Sequence, residues 1–203
     1  MKTDYLDLVQ LHSCSKEVLE KGDATEALLE AQKAGKTRFV GYSGDNEAAA
    51  WAVESGLFDT LQTSFSISDQ HARIKLFGPA KAQGMGIIIK RPIGNGAWRS
   101  VGSPTANLRY PSMRTYGDEY HRRAQLMAGL GPIPGEPDDR FLTAMGFVLS
   151  HPEVTTAIVG TQDPSHMREN IERIEEGSPL SSAVADELHR RFAQLEDGWP
   201  QLT

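Results

Sequence analysis

The 203-residue chain is 39% apolar and carries 27 acidic against 21 basic side chains, for a net charge of −6. That is enough apolar matter for a core, while no basic block is long enough to track a phosphate backbone, so nucleic acid is not an expected partner. The single cysteine, Cys14, rules out an internal disulfide framework and a Cys-x-x-Cys pair, and no stretch has the ~18 apolar residues of a membrane span or the layout of a signal peptide; a cytoplasmic protein in a reducing compartment is expected, without a membrane partner.

In chain order, residues 4–13 open with Tyr5, Leu6, Leu8, Val9 and Leu11, a nearly continuous apolar run that predicts a strand buried on both faces of a parallel sheet. His12 stands where the run stops, the place at which a (β/α) barrel strand presents its side chains to the ligand mouth. A structural histidine satisfied by nearby backbone is the plainer alternative. Residues 24–34 repeat apolar side chains at helical spacing (Ala27, Leu28, Ala31, Ala34) before Gly35, and 38–42 predict a second strand stopped by Ser43-Gly44-Asp45. Asp45 or Asn46 is suited to cap a helix over 47–54. Strands follow at 60–64 and 86–90. Between them lies a helical stretch over 69–83, which Gly78-Pro79 is expected to break or kink.

Residues 93–116 are rich in Gly, Pro, Ser and Asn and are expected to form one long irregular loop. Helices are predicted over 118–128 and 138–150, a fifth strand over 154–159, and two last helices over 163–176 and 181–195. Strands alternating with helices imply a parallel sheet with right-handed crossovers, doubly wound or part of a barrel, in a single domain over 1–203.

No His-Glu-x-x-His, P-loop or Gly-x-Gly-x-x-Gly pattern occurs, so neither a metal site nor a standard phosphate loop is expected. Gly41-Tyr42-Ser43-Gly44-Asp45 resembles a nucleophile elbow with Ser43 as nucleophile, but Asp45 stands where that turn needs a glycine. His12, Ser43-Gly44, Gln62, Lys90-Arg91 and Gly160-Thr161-Gln162 all fall at or just past predicted strand ends. In a barrel they would share one rim.

At these residues the chain resembles the aldo-keto reductase family. Residues 4–13 resemble the family's fourth barrel strand, Phe39-Val40-Gly41-Tyr42-Ser43 the fifth, Leu61-Gln62 the sixth, 86–92 the seventh, and 156–160 through Arg168-Glu169-Asn170 the eighth strand and its helix. The resemblance implies an incomplete (β/α)8 TIM barrel of about five parallel strands with flanking helices, the C-terminal portion of the family's fold. It further implies an NAD(P)H-dependent reduction of aldehydes or ketones to alcohols, with a small carbonyl substrate in the full-length form. Of the family's Asp, Tyr, Lys and His tetrad only His12 has a match, so this chain alone is expected to be inactive; Met1-Lys2 stand at ordinary internal positions of the family, as in a truncated product. A non-catalytic dinucleotide-binding or interaction module on the same half barrel is the alternative.

By the same resemblance Ser43 and Gln62 would bind the nicotinamide carboxamide. Lys90 and Arg91 stand where many members have an aromatic residue and a serine, and an arginine plane can stack in their place. Gly160, Thr161, Gln162, His166, Glu169 and Asn170 would surround the adenosine end, with NADP expected over NAD because His166 and Arg168 stand where a 2′-phosphate binds. Gly44 replaces the family's usual asparagine. A sheet of five strands that does not close is expected to self-associate or to take a partner that completes it.

Overall fold

The structure is a computed structural model that describes residues 2–97, 111–161, 163–177 and 180–202, with residues 111–116 described as backbone only. Five parallel strands form one sheet in the order β1-β2-β3-β4-β5: β1 (Leu6–His12), β2 (Thr37–Ser43), β3 (Thr60–Ser64), β4 (Gly86–Lys90) and β5 (Val154–Ala157). Spatial order equals chain order, so each crossover moves one strand along and always in the same direction. This is the winding of a barrel wall, not of a doubly wound sheet. The sheet does not close among the described residues, and β1 and β5 are its edges.

Helices α1 (Lys16–Lys21), α2 (Asp23–Lys33), α3 (Asn46–Ser55), α4 (Gly78–Ala82), α5 (Pro111–Ala128), α6 (Arg140–Leu149), α7 (Pro164–Gly177) and α8 (Ser182–Leu195) complete the described chain. Strand alternation turns Val40, Tyr42, Leu61, Ile87 and Ile89 toward the helical layer, where all are nearly inaccessible and join one cluster with Ala49, Ala52, Phe77, Phe147 and Phe192. The opposite face carries Ser43, Gln62 and Lys90.

Several expectations are corrected. Strand β1 is only half-buried along its length, because an edge strand lacks a neighbour on one side and its run of leucines finds cover on one face only. Helix α1 is an unpredicted element: Ser15 Oγ accepts from the Val18 amide and Gly22, at φ 89°, ends the helix one turn later, leaving a single buried apolar side chain, Leu19, too few for a periodic signal. Gly78-Pro79 interrupts the regular helix without ending it: a π-helical turn (Arg73–Phe77) gives way at Gly78 to α4, with Pro79 in its first turn. Helix α5 begins at Pro111, inside the stretch expected to be irregular, while residues 98–110 of that stretch lie outside the described residues. Strand β5 ends at Ala157 and not at Val159.

Candidate functional site

The parallel register aligns the strand ends into rows across the sheet. His12 stands beside Ser43, Ser43 beside Gln62, Gln62 beside Ile88, and Ile88 beside Thr156. Three of the expected site residues are therefore neighbours in one row. His12 is exposed at the edge, Ser43 is buried, and Gln62 is half-buried, with its Nε2 donating to Ser43 Oγ at 3.1 Å. That bond leaves the Ser43 hydroxyl its proton to donate and Gln62 its Oε1 to accept. The pair is complementary to a primary carboxamide, which offers one carbonyl oxygen and one NH2.

The same bond weakens the nucleophile-elbow reading. Ser43 has an amide beside it and no imidazole within hydrogen-bond distance among the described residues, so no base is placed to take its proton. Tyr42 lies on the other face. Its hydroxyl donates to the Cys14 carbonyl at 2.6 Å, and burial, then the neighbouring Cys14 and Asp45, push its pKa up to about 12. The Tyr42 ring also explains Gly44, since a Cβ there would lie 2.4 Å from Tyr42 Oη and 2.6 Å from Cζ.

One layer nearer the mouth, about 6.6 Å along the strands for a two-residue step, is a denser network that sequence reasoning missed. Asp45 sits at the N-cap position of α3, as expected, but its side chain makes no cap bond. It turns to the sheet instead. Asp45 Oδ1 accepts from Thr63 Oγ1 (2.9 Å), the Ser64 amide (2.7 Å) and Gln201 Nε2 (3.3 Å), and Oδ2 accepts from Ser64 Oγ (3.2 Å) and faces Lys90 Nζ at 2.8 Å. The Lys90 side chain is 15% exposed and that of Asp45 1%, so the pair is shielded from water. The sequence signal was present but ambiguous: an aspartate after a strand and before a helix caps by default, and only its distant partners show otherwise.

Arg91 is likewise turned inward. Its Nη1 donates to Ser64 Oγ (3.3 Å) and to the Leu202 carbonyl (2.9 Å). Residues 199–202 form a strap across this rim. The Leu202 amide donates to the buried Asp69 carboxylate (2.8 Å), Arg123 donates to the Pro200 carbonyl (2.8 Å), and the Asn46 amide donates to Gln201 Oε1 (3.2 Å). Arg123 in turn lies over the Trp199 ring and bonds Glu119, whose pKa is held down to about 2 by hydrogen bonds from Arg122 and Arg123. Ser13, Asn46, Arg91 and Asn95 are the non-glycine residues at positive φ among the described residues, and all follow the C-terminal ends of β1, β2 or β4. Backbone strain of this kind collects at functional rims.

The remaining expected residues lie beyond β5. Gly160, Thr161, His166 and Glu169 are exposed and Asn170 is half-buried, while Gln162 lies outside the described residues. Asp163 Oδ1 accepts from the Ser165 amide (2.9 Å) and hydroxyl (2.7 Å), which opens α7 and lowers the Asp163 pKa. His166 reaches Asp163 only at 3.8 Å, and Glu169 is 3.7 Å from Arg173. Because β5 is parallel to β4, this group is at the same end of the sheet as Lys90, but among the described residues no hydrogen bond joins it to the Ser43–Lys90 set. Among the described residues no cluster of three potential ligands for a metal occurs, and no helix is long and apolar enough to cross a membrane.

Comparison with known proteins bears on the family and on the fold. The model of the aldo/keto reductase family matches residues 1–190. The aldo-keto reductase AKR11C1 from Bacillus halodurans superposes with a TM-score of 0.71 in its holo form, at 21% identity, over 94% of this chain and 62% of that one. Its apo form gives a TM-score of 0.70 at 21% identity, over 94% and 63%. The chain thus spans less than two thirds of the length of these structures, and at such identity the likeness concerns the fold. No match to a curated protein is found.

Proposed function

The chain belongs to the aldo/keto reductase family, and from that membership we propose that it binds a nicotinamide dinucleotide, NADP in preference to NAD, across the C-terminal ends of its strands, as part of an oxidoreductase that reduces aldehydes or ketones to alcohols. In this reading β1–β5 correspond to strands four to eight of the family barrel. The observation that carries it is the Ser43–Gln62 pair, whose unused donor and acceptor match a carboxamide. A bound reduced nicotinamide supplies the hydride. His12, exposed beside Ser43 in the same row, orients and polarises the carbonyl oxygen of a small substrate. Lys90 and Arg91 line the groove past Gln62, and Gly160, Thr161, Gln162, His166, Glu169 and Asn170 hold the adenosine end, beside the start of α7. A cytoplasmic setting suits the free thiol of Cys14.

A non-catalytic binding role is the second reading, and one observation favours it for this chain alone. Among the described tyrosine side chains, Tyr42 is held protonated by burial and bonded to a carbonyl, Tyr120 is buried with its pKa raised chiefly by burial, and Tyr5 is half exposed with no carboxylate or lysine partner among the described residues. None is placed to protonate a carbonyl with a lysine beside it. Titration with NADPH and NADH, read by dinucleotide fluorescence, tests both readings. Saturable binding that weakens about tenfold in Ser43→Ala or Gln62→Leu, the value of roughly one hydrogen bond, supports the site; unchanged affinity in both variants, or no binding by the unaltered chain, overturns it. Oxidation of NADPH with a panel of aldehydes, abolished by His12→Ala, would replace the non-catalytic reading with an active enzyme.

A further inference from the structure

We propose that Asp45 is a positioning residue that acts through Lys90: its buried carboxylate pins the Lys90 ammonium at the groove rim, where the ammonium donates to an uncharged oxygen of the dinucleotide, a ribose hydroxyl. The inference rests on the cofactor reading above. Three features carry it.

Asp45 has given up its local role. At φ −137° and ψ 177° it has the backbone of an N-cap, yet its carboxylate bonds no amide of the first turn of α3, whose Asn46 amide goes to Gln201 Oε1, and it reaches partners on two other strands. Four protein donors besides Lys90 hold the two oxygens: Thr63 Oγ1, the Ser64 amide, Ser64 Oγ and Gln201 Nε2. A carboxylate so held cannot follow the lysine; the lysine must come to it.

Lys90, by contrast, is a flexible four-carbon stem whose ammonium carries three N–H groups. One points to Asp45 at 2.8 Å, and the other two have no partner among the described residues. By register Lys90 stands beside Ser64, and two residues earlier Ile88 stands beside Gln62, so the lysine shares the face of the carboxamide-binding pair. Donors fixed on that face and one layer up are placed for the next polar group of a ligand whose carboxamide sits on Ser43 and Gln62. Because Asp45 cancels the lysine charge, the pair offers directed N–H groups with no net charge. That suits a hydroxyl better than a phosphate.

The test uses the full chain, with NADPH affinity measured against ionic strength in Lys90→Met, Asp45→Asn, the double variant and Ser43→Ala. Lys90→Met and Asp45→Asn are each expected to weaken binding about tenfold, the value of one charge-assisted hydrogen bond, and the double variant no further than the worse single one. In Asp45→Asn the released ammonium is expected to seek phosphate oxygens, so its affinity falls more steeply with salt than that of the unaltered chain. A purely structural Asp45 would not move that salt slope. Wild-type affinity in Lys90→Met, or losses that simply add in the double variant, overturns the proposal. If Asp45→Asn fails to fold, Lys90→Met alone decides. Loss of binding in Ser43→Ala with none in Lys90→Met sinks this inference and spares the cofactor reading; no binding by the unaltered chain sinks both.

Discussion

Glycine 44 shows how one side chain dictates its neighbour. Tyr42 faces the helical layer, yet its ring curls over the turn that follows β2 so that its hydroxyl reaches the Cys14 carbonyl, and the space a Cβ would need at Gly44 is filled. Gly44→Ala is expected to destabilise the chain by about 1–3 kcal/mol, the usual cost of overpacking, seen as a lower urea midpoint at unchanged slope. Tyr42→Phe keeps the ring but strands the carbonyl, for a loss of about 1 kcal/mol; an unchanged midpoint would show that water replaces the hydroxyl. At this scale the sequence was legible for the place of Ser43, the polar residue that ends β2, and less so for Gln62, which stands in the middle of β3 and meets Ser43 only through the register. It was not for Asp45, because an aspartate before a helix has a local use that the eye takes first.

Among the elements, α6, α8 and the turn before the π-helix meet at a pair of histidines. His151 Nδ1 bonds the Phe147 carbonyl at 2.8 Å, His189 Nδ1 meets Gln70 Oε1 at 2.6 Å, and the two Nε2 atoms are 3.2 Å apart among Phe65, Phe77 and Phe147. Burial lowers both pKa values, that of His189 to about 4, with the Arg73 cation and the partner imidazole adding to the effect. Between pH 6.5 and 4 the unfolded chain therefore binds a proton that the folded chain refuses. Stability is complete above pH 6.5 and drains as pH falls toward 4. Thermal melts over that range should show the decline, and His189→Gln should flatten it; an equal decline in the variant would assign it to other groups. Helices α2, α3, α6, α7 and α8 were all readable from spacing and end signals to within a residue or two. Helix α1 was not, since one turn carries too few apolar residues to show a period.

For the whole molecule the decisive feature is a sheet with helices on one face and two edges, β1 and β5, that are unpaired among the described residues. On the face opposite the helices, Phe39 is 45% exposed in the same alternation as Ser43, and Ile158, one residue past β5, is 48% exposed. Leucine 8 and Ile88 are half-covered. Apolar side chains left in this state forgo part of the roughly 1.5–3 kcal/mol that full burial contributes to each, and free strand edges template pairing. Self-association that grows with concentration in sedimentation, with binding of a hydrophobic dye, is the expected behaviour. A monodisperse, dye-silent monomer would show that the face is covered in solution.

The amino-acid order by itself determined the alternation of strands and helices, their near-exact limits at β3 and β4, and the clustering of polar residues at strand ends. These depend on neighbours two, three or four positions away, which a sequence displays directly. The tertiary structure alone decided which polar groups work together. Asp45 had to choose between its own helix and partners at Ser64, Lys90 and Gln201, and that competition is settled by strand register and by a strap more than 150 residues along the chain, where no local pattern reaches.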